Sequence, residues 1–383
     1  MNHSRKIIYL AGFLFSLPIA LMIYINSSFL SSFIGEESMG LTYALASIVS
    51  IIALLVAPKI FRRTGGHKFL LLVIAFDILS ILFFAFSKNA WSAVPIFAIG
   101  FALNTLIVFS LDELLKIFSK DSKTGRIRGI YITIVHLAFI SSQLLLGTIF
   151  GPFSFKTIYL IAASLMMAFF ALAFFGLKNT PDPKYDNMKT LQYVKKFFGN
   201  RNLFRVYGIN FLLQFFYAWM VIYTPIYLYV HLGFSWKELG IIFAIMLTPF
   251  VIIPIQLGKY SDKIGERKIL MFGFAIVSIF TLSLFFIQAH LVWLWAILLF
   301  TTRIGAATID VMSDAYFFKH IKPENEEFVG VYRSAPPLSF IIGPVVASAV
   351  LLLVPSFNFI YLILGGFMLY GVYLSSTIRK SDS

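Results

Sequence analysis

Long apolar runs, each about as long as a bilayer is thick, alternate along this chain with short stretches rich in lysine and arginine. A membrane helix needs about 20 mainly apolar residues. A window of that length finds twelve candidates, at residues 7–30, 41–58, 69–87, 93–111, 130–150, 156–177, 206–230, 238–257, 269–288, 291–313, 329–354 and 357–377. The pattern predicts an all-α membrane protein. Pro18, Pro225, Pro249 and Pro254 fall inside these runs, which a spanning helix tolerates when neighbours satisfy the freed carbonyl. The basic start, Met1 to Lys6, followed by the run from Ile7 to Leu30, has the outline of a signal peptide. A signal core is only about 7–15 residues long, and no small-x-small site closes this run. It is read as the first spanning helix, with its basic flank inside.

The twelve windows divide into two sets of six because the chain repeats itself. The segment Pro58-Lys-Ile-Phe-Arg-Arg-Thr-Gly-Gly-His-Lys68 overlays Gly258-Lys-Tyr-Ser-Asp-Lys-Ile-Gly-Glu-Arg-Lys268, and both fall between the second and third helix of a set. Asp112 overlays Asp314, and Gly129-Ile-Tyr131 overlays Gly330-Val-Tyr332, at nearly the same spacing. Ordered landmarks of this kind argue for homologous halves. The expected organisation is a six-helix bundle over 1–177, a cytoplasmic linker over 178–205, and a second, pseudo-symmetric six-helix bundle over 206–383. The linker opens on Pro181-Asp-Pro183, which breaks any continuing helix. Its later part, Met188 to Phe198, mixes aromatic residues and leucine with lysines. It reads either as an amphipathic helix on an anionic lipid surface or as a solvated linker whose charge only sets topology.

Composition agrees with lipid as the solvent. The chain is 59% hydrophobic and 13% charged, with 44 phenylalanines and a mean hydropathy of +0.88, against about 25% charged residues in soluble domains. The net charge of +14 invites a nucleic-acid reading, but the cations lie between the apolar runs. With the N-terminus inside, 27 of the 31 lysines and arginines fall on cytoplasmic segments, leaving Lys88, Lys156 and Lys237 outside and Arg303 within a helix. That asymmetry places both termini in the cytoplasm, in a multi-pass inner-membrane protein, and makes nucleic acid an unneeded partner. Without cysteine there is no disulfide, thiolate metal site or cysteine nucleophile. No P-loop, H-E-x-x-H or G-x-S-x-G occurs in a credible loop, so neither an ATP-driven pump nor a membrane hydrolase has motif support. No enzyme activity, cofactor or metal is expected.

The segment Gly258-Lys-Tyr-Ser-Asp262-Lys-Ile-Gly265-Glu-Arg267-Lys268 resembles the signature loop of the major facilitator superfamily, G-x-x-x-D-x-x-G-R-[RK]. Glu266 stands where the first basic residue is usual. The resemblance, with twelve helices and a central linker, extends over the whole chain. It implies a transporter of small solutes working by alternating access, around a midplane cavity lined by the first, fourth, seventh and tenth helices, and usually acting as a monomer. It also implies an inner gate. Gly258 and Gly265 permit tight turns, Asp262 accepts from a neighbouring helix N-terminus, and Arg267 or Lys268 pairs with Asp314. In the first half Arg62 occupies the acidic position, while Asp112 with Arg126 and Arg128 resembles the end of the fourth helix and the turn before the fifth. The expected gate is asymmetric, with its intact latch on the second half. The antiporter element G-x-x-x-G-P of the fifth helix is matched weakly, by Gly147 to Pro152 near the outer end.

Ionisable groups inside a membrane are costly and default to functional candidates. Asp77 lies halfway along the third helix, and the fourth offers Asn104. His136 and Gln143 share a face of the fifth helix. Asn210, Gln214 and Tyr217 form a polar stripe on the seventh, with Trp219 and Tyr223 beside it. Arg303 and Asp310 lie two turns apart on the tenth, with Asp314 one turn further. Two readings stand for that last pair: a coupling device in which a carboxylate exchanges a proton as the guanidinium approaches or withdraws, or a static ion pair bracing the bundle. Likewise Asp77 and His136 are proton sites or packing residues. The expected cavity is Asn104, Asn210, Gln214, Tyr217 and Arg303, with Asp77, His136 and Asp310 as proton-coupling candidates.

The functional expectation is a secondary active transporter of a small organic solute, proton-coupled, with efflux favoured over uptake. The alternatives are a proton-independent uniporter or anion carrier, and a non-transporting receptor or lipid-handling protein. Its expected partners are the solute, protons and membrane lipids.

Overall fold

The computed structural model describes residues 2–118, 124–148, 154–178, 190–254, 257, 265–320 and 328–378, and among these every regular element is a helix. In lipid this is the expected solution, because only a helix satisfies each backbone polar group within its own segment. Among the described residues, eleven helical segments are long and apolar enough to cross a membrane. The twelfth expected window, 130–150, is helical as far as it is described, to Thr148, with a shorter apolar part at Ile130–Leu146.

The chain divides into two compact units, Met1–Asp186 with Ser235–Ala244, and Asn187–Phe234 with Ile245–Ser383. The first contains α1 (Asn2–Ile23), α2 (Asn26–Ile34), α3 (Met39–Thr64), α4 (Gly66–Ala85), α5 (Ala90–Phe118), α6 (Thr124–Thr148) and α7 (Phe155–Gly176). The second contains α8 (Thr190–Gly199), α9 (Arg201–Ile226), α11 (Glu266–Leu284), α12 (Val292–His320), α13 (Phe328–Tyr332), α14 (Ala335–Leu353) and α15 (Phe359–Ser376). The unit boundary falls within α10 (Trp236–Leu247). Inside the first unit α1 packs on α6 and α7, and α4 on α5 and α7. Inside the second, α9 packs on α14 and α15, and α11 on α12 and α15. The same pairing therefore occurs in each unit, as the repeated landmarks anticipate.

Proline breaks the backbone ladder within several spans. Pro225 has no N–H to offer the preceding turn, and the helix that contains it passes into a wider π turn at Tyr227–His231. Pro344 likewise interrupts the ladder of α14. Two aromatic donors of α9 dock there: Trp219 Nε1 donates to Gly343 O at 2.6 Å, and Tyr223 Oη donates to Pro344 O at 2.9 Å. Ser142 Oγ and Gln143 Nε2 of α6 donate to the carbonyls of Leu17 and Ala20, on either side of Pro18 in α1. Side-chain amides and hydroxyls thus act as interhelical ties.

Glycine sets the closest approach. A Cβ placed on Gly305 of α12 would lie 2.6 Å from the carbonyl oxygen of Gly273 and 2.7 Å from Val277 Cγ2 on α11. The two helices meet backbone to backbone, which larger residues forbid. Facing outward are large apolar side chains such as Leu55, Phe83, Phe175, Phe272 and Leu353, all more than half exposed. A soluble surface rarely carries so much contiguous apolar area; lipid accounts for it.

Candidate functional site

In the first unit the polar centre is Asp77, which is fully buried on α4. Asn104 Nδ2 of α5 donates to Asp77 Oδ1 at 3.3 Å and to Gly100 O at 2.9 Å. Ser80, one turn along α4, donates to the Asp77 backbone carbonyl at 3.0 Å. Asp77 Oδ2 and Asn104 Oδ1 are buried and have no hydrogen-bond partner. A carboxyl oxygen left in that state inside a span is costly unless the group is neutralised or a ligand reaches it. The cluster brings together one residue expected at the cavity and one expected to exchange protons, which the sequence reading had kept apart. His136 lies half-buried on α6.

In the second unit the polar stripe of α9 is present as a ladder. Gln214 Nε2 donates to Asn210 Oδ1 at 3.5 Å, and Asn210 Nδ2 to Tyr332 O at 3.5 Å. Both bonds are at the long limit and correspondingly weak. Asn210 is buried, while Gln214 and Tyr217 are partly accessible. Arg303 of α12 is only 2% exposed. Its guanidinium lies over the Phe216 ring at 5.0 Å and the Tyr217 ring at 5.9 Å, a geometry in which the ring face attracts a cation. Trp219 and Tyr223, which flank the stripe in sequence, are spent on α14.

The charges at the far end of α12 differ from the expected latch. Asp314 takes Arg333 as a bidentate partner, Nη2 to Oδ2 at 2.7 Å and Nη1 to Oδ1 at 3.3 Å, rather than Arg267 or Lys268. Those two lie on the first turn of α11, partly and fully exposed. Asp310 is half-buried one turn before Asp314. Gly258 and Asp262 lie outside the described residues. Gly265 has φ +80°, the left-handed region in which a side chain is strained. Asp112 is exposed on α5; Arg126 and Arg128 lie on α6, and their side chains are outside the description.

Glu266, the departure from the signature, is buried, and Lys319 of α12 reaches its Oε1 at 3.2 Å. The site of the usual basic residue thus carries the acid, and the base comes from the neighbouring helix. At the first position of α11 a carboxylate also meets the favourable end of the helix dipole. Lys319 is about half exposed, so solvent screens much of the pair. Lys319→Ala is expected to lower the melting temperature by a few degrees, corresponding to about 1 kcal/mol. Exchanging the two charges should recover only part of it, because a lysine then opposes the dipole; full recovery would assign the effect to the pair alone.

Sequence reasoning missed Ser80, Phe216, Lys319 and Arg333. Only Arg333 left a signal, as the residue following the repeated Gly-x-Tyr landmark.

Helices of spanning length with polar clusters buried among them define an integral membrane protein. A model of the Major Facilitator Superfamily matches residues 114–301 and 225–381. The chain belongs to that superfamily, and the sequence resemblance drawn from its signature loop is upheld. No curated protein sequence matches it. Among solved structures, an aspartate-to-alanine mutant of the nucleoside transporter NupG is similar over 98% of this chain and 100% of its own, with a TM-score of 0.79 at 12% identity. The unmutated NupG structure is similar over 100% of both chains, with a TM-score of 0.75 at 11% identity. At that identity the likeness is one of fold. The chain is therefore a multi-pass membrane transporter.

Proposed function

We propose that this transporter moves a small polar organic solute across the cytoplasmic membrane by alternating access and couples the movement to protons, in the direction of export. It works as a monomer with both termini in the cytoplasm. The observation that carries proton coupling is the Asp77 carboxyl, buried on a spanning helix with one oxygen bonded to Asn104 and the other without a donor. Such a group can be neutralised by a proton, and it requires relief of its burial to exchange one. Asn210, Gln214 and Tyr217 supply hydrogen-bonding groups toward the solute, and Arg303 a fixed cation. Nucleosides are the first solutes to test, because NupG, a nucleoside transporter, has this fold.

The test uses purified protein in proteoliposomes with an imposed pH gradient and a panel of nucleosides, sugars and organic anions. Asp77→Asn keeps the shape of the side chain and an oxygen for Asn104 Nδ2. It is expected to remain folded and to carry solute down its own gradient while losing any response to the pH gradient. A pH response equal to that of the unmodified protein would remove Asp77 from the mechanism and leave His136 and Asp310 as the candidates. A second reading, an anion carrier without proton coupling, is favoured by the buried guanidinium of Arg303. It predicts organic-anion transport that is indifferent to the pH gradient.

A further inference from the structure

The short helix α8 seats one ring deeply at the end of the second unit. Phe197 has no exposure, and its ring lies 5.5 Å from Phe328, 6.3 Å from Phe317 and 6.0 Å from Tyr207. Phe317 and Phe328 flank the polar stretch Lys319-His-Ile-Lys-Pro-Glu-Asn-Glu-Glu327 that joins two spanning segments, and Tyr207 lies in the second turn of a third. Helix α8 therefore sits at the level where three spans end, which is the boundary between lipid and water. Its angle to α9 is fixed as well. A single residue, Asn200, separates the two helices, and its Oδ1 accepts from Asn202 N at 3.0 Å and Leu203 N at 3.3 Å, a formed N-cap.

That corner presents a compact outward face. Phe198 is 38% exposed and Phe204 56% exposed, and their rings touch at 6.0 Å. Lys195 lies three residues before Phe198, and Arg201 three before Phe204, so each cation shares a helix face with one of the rings. Both cations are exposed. No acidic residue occurs between Asp186 and Glu238, so none in this stretch competes for them. Two aromatic rings at the bilayer boundary, flanked by two cations, suit a phospholipid whose headgroup is anionic. The rings enter the acyl boundary while the cations meet the phosphate layer.

We infer that the face formed by Lys195, Phe198, Arg201 and Phe204 is a docking surface for anionic phospholipid, which ties the end of α8 and the start of α9 to the membrane surface. This does not depend on the solute or on proton coupling. Between the two readings of the linker left open by its sequence, it selects the lipid surface over the solvated spacer.

The test uses the full chain in nanodiscs of phosphatidylcholine with and without phosphatidylglycerol. Gly199 lies at the corner, and a side chain there meets nothing within 4 Å. The chain has no cysteine of its own, so Gly199→Cys takes a single nitroxide. With phosphatidylglycerol present, the label is expected to gain oxygen accessibility and lose accessibility to a water-soluble quencher. Phosphatidylglycerol retained on the protein, read by native mass spectrometry, should fall about thirtyfold in the Lys195→Gln, Arg201→Gln double variant, at about fivefold per cation. The Lys195→Arg, Arg201→Lys variant should keep it. A label equally water-exposed in both lipid mixtures, or equal lipid retention in the glutamine variant, would overturn the inference and return this face to the role of a solvated linker.

Discussion

Replacing Gly305 by valine is expected to remove most of the folded protein, and even Gly305→Ala should lower the melting temperature in detergent by about 10 °C. The reason is geometric. A Cβ at Gly305 meets the Gly273 carbonyl oxygen at 2.6 Å and the Val277 backbone nitrogen at 3.0 Å. Neither can move aside without displacing α11, because both belong to its backbone. Overpacking that a side chain can absorb costs about 1–3 kcal/mol; one that must shift a helix lies at the upper end or beyond. For a unit of this size each kcal/mol corresponds to about 2–4 °C. Gly366→Ala is the control, since a Cβ there meets nothing within 4 Å and should leave the melting temperature unchanged. A normal melting temperature for Gly305→Ala would show that α11 and α12 separate more readily than their contact suggests.

Arg303→Lys is expected to cut solute transport by at least about tenfold, although the charge is conserved. The guanidinium of Arg303 lies over Phe216 and Tyr217 in a nearly dry setting. Desolvated cation–π contacts reach about 2 kcal/mol. Lysine offers a compact ammonium rather than a planar, weakly hydrated fork, so it cannot reproduce this stacking. Measuring initial uptake rate together with melting temperature on the same preparations separates the two roles the sequence left open. A drop in uptake per folded molecule at unchanged stability assigns Arg303 to the solute. Lower stability with unchanged uptake per folded molecule makes it a brace.

Legibility in the sequence followed the range of the interaction. The spans were legible because each is a local property: about 20 apolar residues whose backbone groups bond within the segment. The polar stripe Asn210, Gln214 and Tyr217 was legible too, since one helix turn sets its spacing. What these side chains touch was not. Asn104 reaches Asp77 across 27 residues of chain, and Trp219 reaches Gly343 across 124. The resemblance to the signature loop suggested Arg267 or Lys268 for Asp314, whereas Arg333 occupies it. Glu266 stood out as a departure, but only its burial beside Lys319 gives the departure a physical role.

By itself, then, the sequence determined that this is a helical membrane protein built from a repeated set of spans, because lipid imposes length and apolarity on each span independently of its neighbours. It also determined the family, since a turn with its glycines and charges is contiguous in the chain. Only the tertiary structure decided which buried polar groups meet. In a membrane nearly every helix face is apolar, so hydrophobic pattern no longer says which face is inward, and partners are chosen by close packing and by the few hydrogen bonds that lipid cannot supply.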